Sequence, residues 1–303
     1  MTEKTLGYYA DLAFPIVTAL TLIAISIEWI LLTIENKMES HKEGLVNLYS
    51  GILTFFPVFA ITKLGMVGFM YWLFQFKIFN FGFQWYVWIL TWFAYDFMFW
   101  LIHFISHNVR LFWCFHSVHH TPKEMKLTVA FRGSFMDFLL NPHFIIWLPL
   151  LGFHPLIIII VETIGRSYGI FIHVNETWIP NTKRSFIEKI FISPSTHRVH
   201  HSVNHIYLDR NYGESFAFWD LLFRTFQPEI SSEKPVYGTM RPIDPENLMD
   251  IQTNEFKALW EDVKNTPRWL DKLKYVFKPP GWNHIDGGIL ASEMRAIALN
   301  RWK

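Results

Sequence analysis

One cysteine, Cys114, among 303 residues leaves no partner for an intrachain disulfide and no set of thiolates for a metal cluster. A secreted disulfide scaffold is thereby excluded. Charge is also scarce, at 17% Asp, Glu, Lys and Arg, against about 25% in soluble proteins. The formal net charge of +1 offers no basic excess of the kind nucleic acid requires, so no nucleic-acid partner is expected. Residues 1–11 lack the short apolar core and small-residue cleavage site of a removable signal peptide, and the first apolar run reads as a retained span. There is no internal repeat and no Gly/Ser-rich or Pro-rich linker, which points to one folded unit.

What the chain has in quantity is apolar and aromatic surface. Hydrophobic residues make up 51% and aromatics 18%, with 30 Phe and 14 Trp. That suits a protein that fills lipid-facing surface and anchors at both interfaces. Residues 12–34 form a run that, at about 1.5 Å per residue, matches a roughly 30 Å hydrocarbon core. Residues 45–76 are interrupted only by Lys63 and predict one span plus a helix lying at the interface. A third run, 84–105, opens on Trp85, Trp88 and Trp92 and carries Asp96 and His103 further on. A fourth, 144–161, is broken by Gly152, His154 and Pro155. The spacing therefore predicts an all-α membrane bundle of about four membrane helices or hairpins. Residues 1–80 read as N-terminal membrane helices, 81–228 as the chemistry-bearing region and 229–303 as a polar tail. Of 27 Lys and Arg, 17 lie between Lys183 and Lys303, which favours a cytosolic tail. Two amphipathic pieces of it, 256–263 and 269–277, suit either the membrane surface or the face of the domain.

The histidines carry the chemistry. Eight of fourteen fall into three groups: His103 and His107; His116, His119 and His120; His197, His200 and His201. Spacings of three and four residues put side chains on one helix face, so each group can aim its imidazoles at one point. Two H-x-x-H-H matches beside an H-x-x-x-H arise by chance in on the order of one chain in a thousand or fewer. Eight clustered imidazoles beside a membrane also carry a desolvation cost that only a ligand would offset. Imidazole serves zinc, copper, iron and nickel alike. Eight ligands exceed what one tetrahedral zinc takes, so two metals are expected: two ferrous ions open to dioxygen, or two zincs in a hydrolytic site. Asp96, two turns before His103, can orient an imidazole through a hydrogen bond.

For the two H-x-x-H-H groups to meet, the chain between them must leave and re-enter one membrane face. A helical hairpin of residues 127–140 and 144–173 would do this and return His173 to the cluster as a ninth ligand.

The series H-x-x-x-H, H-x-x-H-H, His173-x-Asn175 and a second H-x-x-H-H followed by Asn211-Tyr212-Gly213 resembles the fatty acid hydroxylase and sterol desaturase superfamily. The matched stretch runs over about 95–213. Within it, SPSTHRVHHSVNHIYLDRNYGESFAFWDLLFRTF, with VYG at 236–238 and KPPGW at 278–282, is most similar to the branch that cleaves glyceryl ethers. The resemblance implies a di-iron (Fe2+) enzyme that uses dioxygen to oxidise a lipid, with tetrahydrobiopterin or an electron donor protein as reductant. Hydroxylation of the carbon beside the ether oxygen gives a hemiacetal, which collapses to an aldehyde and glycerol. Sterol or fatty acyl hydroxylation or desaturation are the alternatives within the superfamily. The motif match carries the ligand role onto His103, His107, His116, His119, His120, His173, His197, His200 and His201. Asp96, Asn175, Asn211 and Tyr212 become supporting residues around them. His41, His143, His154, His205 and His284 lie outside the motifs.

Two departures stand out. Where animal members of that branch carry Glu after the second histidine of the first motif, this chain has Asn108, which brings no negative charge to the cofactor region. It also ends at Lys303, short of their further membrane segments, and reads as a shorter relative. The expected setting is multi-pass, with the site facing the cytosol, in the cell membrane of a bacterium or the endoplasmic reticulum of a eukaryote.

Overall fold

A computed structural model describes residues 3–61, 65–140, 144–180 and 186–301. Among them the regular structure is helical, accompanied only by isolated β-bridges. Helix α1 (Glu3–Ile34) contains the apolar stretch Asp11–Ile34, and with α2 (His41–Ile61) and α4 (Trp85–Asn108) it is long and apolar enough to cross a membrane. The short α3 (Val67–Phe74) lies between α2 and α4, as the split of residues 45–76 predicts. Leu20 and Ile23 of α1, Phe55 and Phe56 of α2, and Ile89 of α4 are exposed, a pattern that lipid rather than water tolerates.

The remaining helices bring the histidines together. Val109, extended at φ −124, breaks α4 from α5 (Arg110–His120), so the chain turns back and sets His116, His119 and His120 against His103 and His107. Helix α6 (Pro155–Phe171) opens on a proline at its first position, and the His154 side chain accepts from Leu156 N–H. Both features suit a helix start. Its Ile157, Ile158 and Val161 pack with Val87 and Tyr95 of α4, each aliphatic chain contributing about 1.5–3 kcal/mol of burial. Helix α7 (Pro194–His200) is closed by a capping box in which Ser193 and Thr196 satisfy each other's backbone N–H. After α8 (Phe218–Leu222) come α9 (Leu248–Asn265), α10 (Trp269–Phe277) and α11 (Ala291–Arg301). Leu259 of α9 and Tyr275 of α10 pack on Cys114 of α5. The amphipathic pieces of the tail therefore cover the domain.

The expected hairpin does not form. Residues 127–140 hold only the short 3-10 segments Leu127–Phe131 and Asp137–Leu139, and residues 144–173 hold another at Leu148–Leu151 and become α-helical only from Pro155. The junction at 141–143, with His143, lies outside the described residues. The cause is local capture of backbone groups. Gly133 carbonyl accepts from Ser50 and Gln252, and Asp137 accepts from Ser134 N–H. These bonds hold the segment on α2 and α9 in a shape no helix permits.

One carboxylate in α1 ties the loops down. Glu28, 1% exposed, accepts from Leu127 N–H at 2.6 Å and Asn175 N–H at 3.0 Å. These are the segments that follow His120 and His173. Removing it orphans two buried donors, at roughly 1–3 kcal/mol each. Glu28→Ala is expected to cost about 2–4 kcal/mol, read as a lower midpoint of thermal unfolding in detergent, whereas Glu35→Ala at the exposed end of α1 leaves the midpoint unchanged.

Candidate metal centre

Nine histidines converge in two sets. His103, His107, His116, His120 and His200 form one, and His119, His173, His197 and His201 the other, with the candidate ligand atoms of each set within 4.8 Å of one another. Every histidine expected from the motifs is in one of them, His173 included. The sets are neighbours: His120 stacks on His201 with ring centroids 4.5 Å apart. Among the described residues neither set includes a carboxylate or thiolate.

The outer nitrogens decide the tautomers. His103 Nδ1 lies 2.8 Å from Tyr212 carbonyl, His119 Nδ1 3.1 Å from Arg132 carbonyl, His173 Nδ1 2.6 Å from Gly169 carbonyl and His200 Nδ1 2.8 Å from Arg210 carbonyl. A carbonyl only accepts, so each Nδ1 carries the proton and each Nε2 turns a lone pair inward. His107 differs, because its Nδ1 meets the Asp209 carboxylate at 3.1 Å. That bond fixes the ring and raises its basicity.

This leaves a contradiction that a cation would resolve. His119 Nε2 and His173 Nε2 stand 3.2 Å apart, with both rings already donating outward. In the neutral state no proton lies between them, and two lone pairs face each other. Protonating either ring is disfavoured. Burial pushes His119 down to about 4 and His200 down to about 3. It drives His116, His120, His173, His197 and His201 well below the ordinary imidazole value. Among the described residues the buried Nε2 atoms of His107 and His200 have no hydrogen-bond partner. Neighbouring Nε2 atoms lie 2.9–3.2 Å apart. Metal–nitrogen bonds of about 2.0–2.1 Å separate adjacent ligands by roughly 3.0 Å at right angles. The residues fit a metal in each set.

The four supporting residues expected from sequence divide. The Tyr212 ring packs on His103, His107 and His200, and its carbonyl holds His103. Asp96 touches no imidazole: its carboxylate accepts from Ser215 and Phe216 N–H, at 2.8 and 3.3 Å. The helical register puts it on the right face, but two backbone donors from the loop after Gly213 take it first. Asn175 donates to Met125 carbonyl, and Asn211 bridges Thr196 and Gln227 carbonyls. Both hold the segments that carry histidines and touch no ring. Asn108 donates to Phe104 carbonyl.

Sequence spacing gave no sign of Asp209, Asp220 or Arg132. Asp220 accepts from Tyr212 and Gly213 N–H and from Trp100 Nε1, which pins the Asn211–Gly213 turn. A Cβ on Gly213 would come within 2.5 Å of Phe216 carbonyl, so only glycine fits there. Fully buried Arg132 donates to Asn47, to Thr121 and to Pro245 carbonyl, while its own carbonyl holds His119. Their signal lies in three-dimensional contacts across roughly a hundred residues, beyond any local motif. Of the histidines outside the motifs, His41 packs on Trp29, His154 caps α6 and His284 meets Tyr275.

A cavity of about 510 Å³ opens beside His107, His120, His200 and His201. Trp113, Tyr275 and Trp282 line its other side, with the Arg110–Asp262 ion pair and the Arg241–Glu255 ion pair. The tail is thus the outer wall of the centre.

Residues 88–225 match the family model described as Fatty acid hydroxylase, a span that includes all nine converging histidines. That match and the relatives below make residues 88–225 similar to the fatty acid hydroxylase family. The chain is 28% identical over 278 residues to human alkylglycerol monooxygenase, covering 90% of this chain and 60% of that protein. To the alkylglycerol monooxygenase of Xenopus tropicalis it is 29% identical over 243 residues, covering 80% and 53%. It is 28% identical over 137 residues to the ornithine lipid hydroxylase of Rhizobium tropici, covering 43% and 39%. The chain thus spans about 60% of the human relative's length and 53% of the frog's. No solved structure matches it.

The depressed imidazoles give the metal-free protein a signed pH response. His119 and His200 titrate near 4 and 3 when folded and near about 6.5 when unfolded. Below 6.5 the unfolded chain binds more protons, so stability is complete above that pH and is lost as pH falls towards 4 and 3. Chemical denaturation of the chelator-treated protein in detergent, measured at pH 8, 6 and 5, is expected to show a midpoint that falls steadily below 6.5.

Proposed function

We propose that this chain is an iron-dependent membrane monooxygenase that hydroxylates a lipid with dioxygen, and that its substrate is the ether carbon of an alkylglycerol. The observation that carries the reading is the pair of histidine cages, five imidazoles and four, five of which have their outer nitrogens tied to carbonyls or to Asp209. All-nitrogen sites with open positions suit a redox iron pair. The names of the relatives, alkylglycerol monooxygenase and ornithine lipid hydroxylase, supply the lipid and the oxygen chemistry. Nine histidines exceed what two catalytic zincs take, which weighs against a hydrolase.

Bound iron would supply activation of dioxygen for attack on an unactivated C–H bond. The protein's part is preparation. Tyr212, Arg132, Gly169 and Arg210 carbonyls aim the Nε2 lone pairs, and burial keeps the rings neutral, so metal binding competes with few protons. The membrane helices α1, α2 and α4 bring a lipid chain to the level of the site. We assign the chemistry to residues 81–228, with the tail as a cytosolic wall. A reduced pterin such as tetrahydrobiopterin is the proposed reductant. Asn108, next in sequence to His107 of the first set, donates to Phe104 carbonyl and brings no charge there, so a reduced electron-transfer protein is the alternative.

The test is metal analysis of the purified protein together with substrate-dependent oxygen uptake. Two irons per chain and oxygen consumption with a glyceryl ether and reduced pterin are expected. Two zincs without oxygen uptake under any reductant, after reconstitution with ferrous iron, would sink the oxidase. His200→Ala and His197→Ala each remove a member of a different set. Each is expected to lower bound iron from two to about one and to abolish turnover. In cells, loss of the chain should raise glyceryl ethers. If another lipid rises instead, that lipid is the substrate.

A further inference from the structure

The cavity under the tail is lined by His107, His120, His200 and His201. His119 takes no part in that lining and is one of two half-buried members of the nine. It shares its set with His173, which follows the end of α6, and α6 presents a charge in an apolar setting. The Arg166 guanidinium lies over the rings of Phe99 and Phe144, 5.4 and 5.6 Å from their centroids. It stands 3.8 Å from Glu162 and 3.8 Å from Glu214. Among the described residues it makes no hydrogen bond, and its side chain is 39% exposed. Its N–H donors thus stand beside two carboxylates without a hydrogen bond among the described residues. Glu214 itself is fixed: Tyr95 hydroxyl donates to it at 2.7 Å, and the absence of a Cβ at Gly165 makes room for it. Charge in such a place is costly and marks function.

We propose that Arg166, Glu162 and Glu214 bind the hydroxyl-bearing polar head of a lipid, holding the adjoining carbon towards the His119 side of the centre. This rests on the lipid-oxidation reading above. A phosphate or carboxylate head would meet two carboxylates whose charge already outweighs that of the one guanidinium. Hydroxyl groups suit all three partners, since they donate to the carboxylates and accept from the guanidinium. The C–H faces of a glycerol unit then lie against Phe99 and Phe144. The cavity under the tail stays free for the reductant.

The test uses the full-length, iron-loaded protein in nanodiscs. Binding is measured directly for 1-O-hexadecylglycerol, for its analogue with both hydroxyls methylated and for hexadecyl phosphate. The wild type is expected to prefer the free diol by about tenfold or more. Arg166→Leu and Glu162→Gln lose most of that preference with iron content unchanged, and Arg166→Lys regains part of it. Equal binding of the three lipids by the wild type overturns the proposal, as does a preference retained in both Arg166→Leu and Glu162→Gln. Should Arg166→Leu lose its iron, Glu162→Gln decides. Diol preference without turnover of the ether would count against ether cleavage alone. Turnover with no diol preference would count against this site alone.

Discussion

A neutral imidazole has one proton and one lone pair, and which nitrogen holds which is settled by the group on its outer side. Four backbone carbonyls and one carboxylate make that choice here, at His103, His119, His173, His200 and His107. Everything else in the region serves to bring those acceptors to their places. Val109 breaks the helix so that α5 folds back on α4. Asp220 pins the turn whose Tyr212 carbonyl holds His103, and Arg132 carries the carbonyl that holds His119. A displaced acceptor would free an imidazole to flip its tautomer and turn an N–H, which no metal accepts, towards the centre.

The membrane helices are part of this device. Glu28 of α1 reaches the segments that follow His120 and His173, and Asn47 of α2 meets Arg132. A charged residue in an apolar span is costly on its own. Its two backbone partners make Glu28 a tie between the bilayer-crossing helix and the loops around the histidines. The tail works from the other side, where Arg110 N–H bonds Lys278 carbonyl and the Arg132 guanidinium bonds Pro245 carbonyl.

The convergence of the clustered histidines was legible in the sequence because helical periodicity turns three- and four-residue spacing directly into shared faces. The three long spans and the short α3 were legible for a related reason, since apolar runs are long or short whatever surrounds them. The outer acceptors were not. Four of the five are peptide carbonyls, which every residue owns and no residue type advertises. Asp96 shows the limit of reasoning by face. Its register was right, yet Ser215 and Phe216, 119 and 120 residues away, claimed its oxygens. The hairpin failed in the same way, because an apolar stretch buried in protein reads like one buried in lipid until Ser50 and Gln252 are seen to hold Gly133.

The Arg132 guanidinium has a temporal consequence. Its partners Asn47, Thr121 and Pro245 come from an early helix, a middle helix and the tail. During synthesis the chain reaches them in that order, and domains fold as their last segments emerge. At the moment when His200 and His201 leave the ribosome, the carbonyl that orients His119 still lacks the Pro245 contact that locks its residue. The Pro245 contact that completes the Arg132 network is thus the last of the three to become available, after every histidine of the two sets has been made.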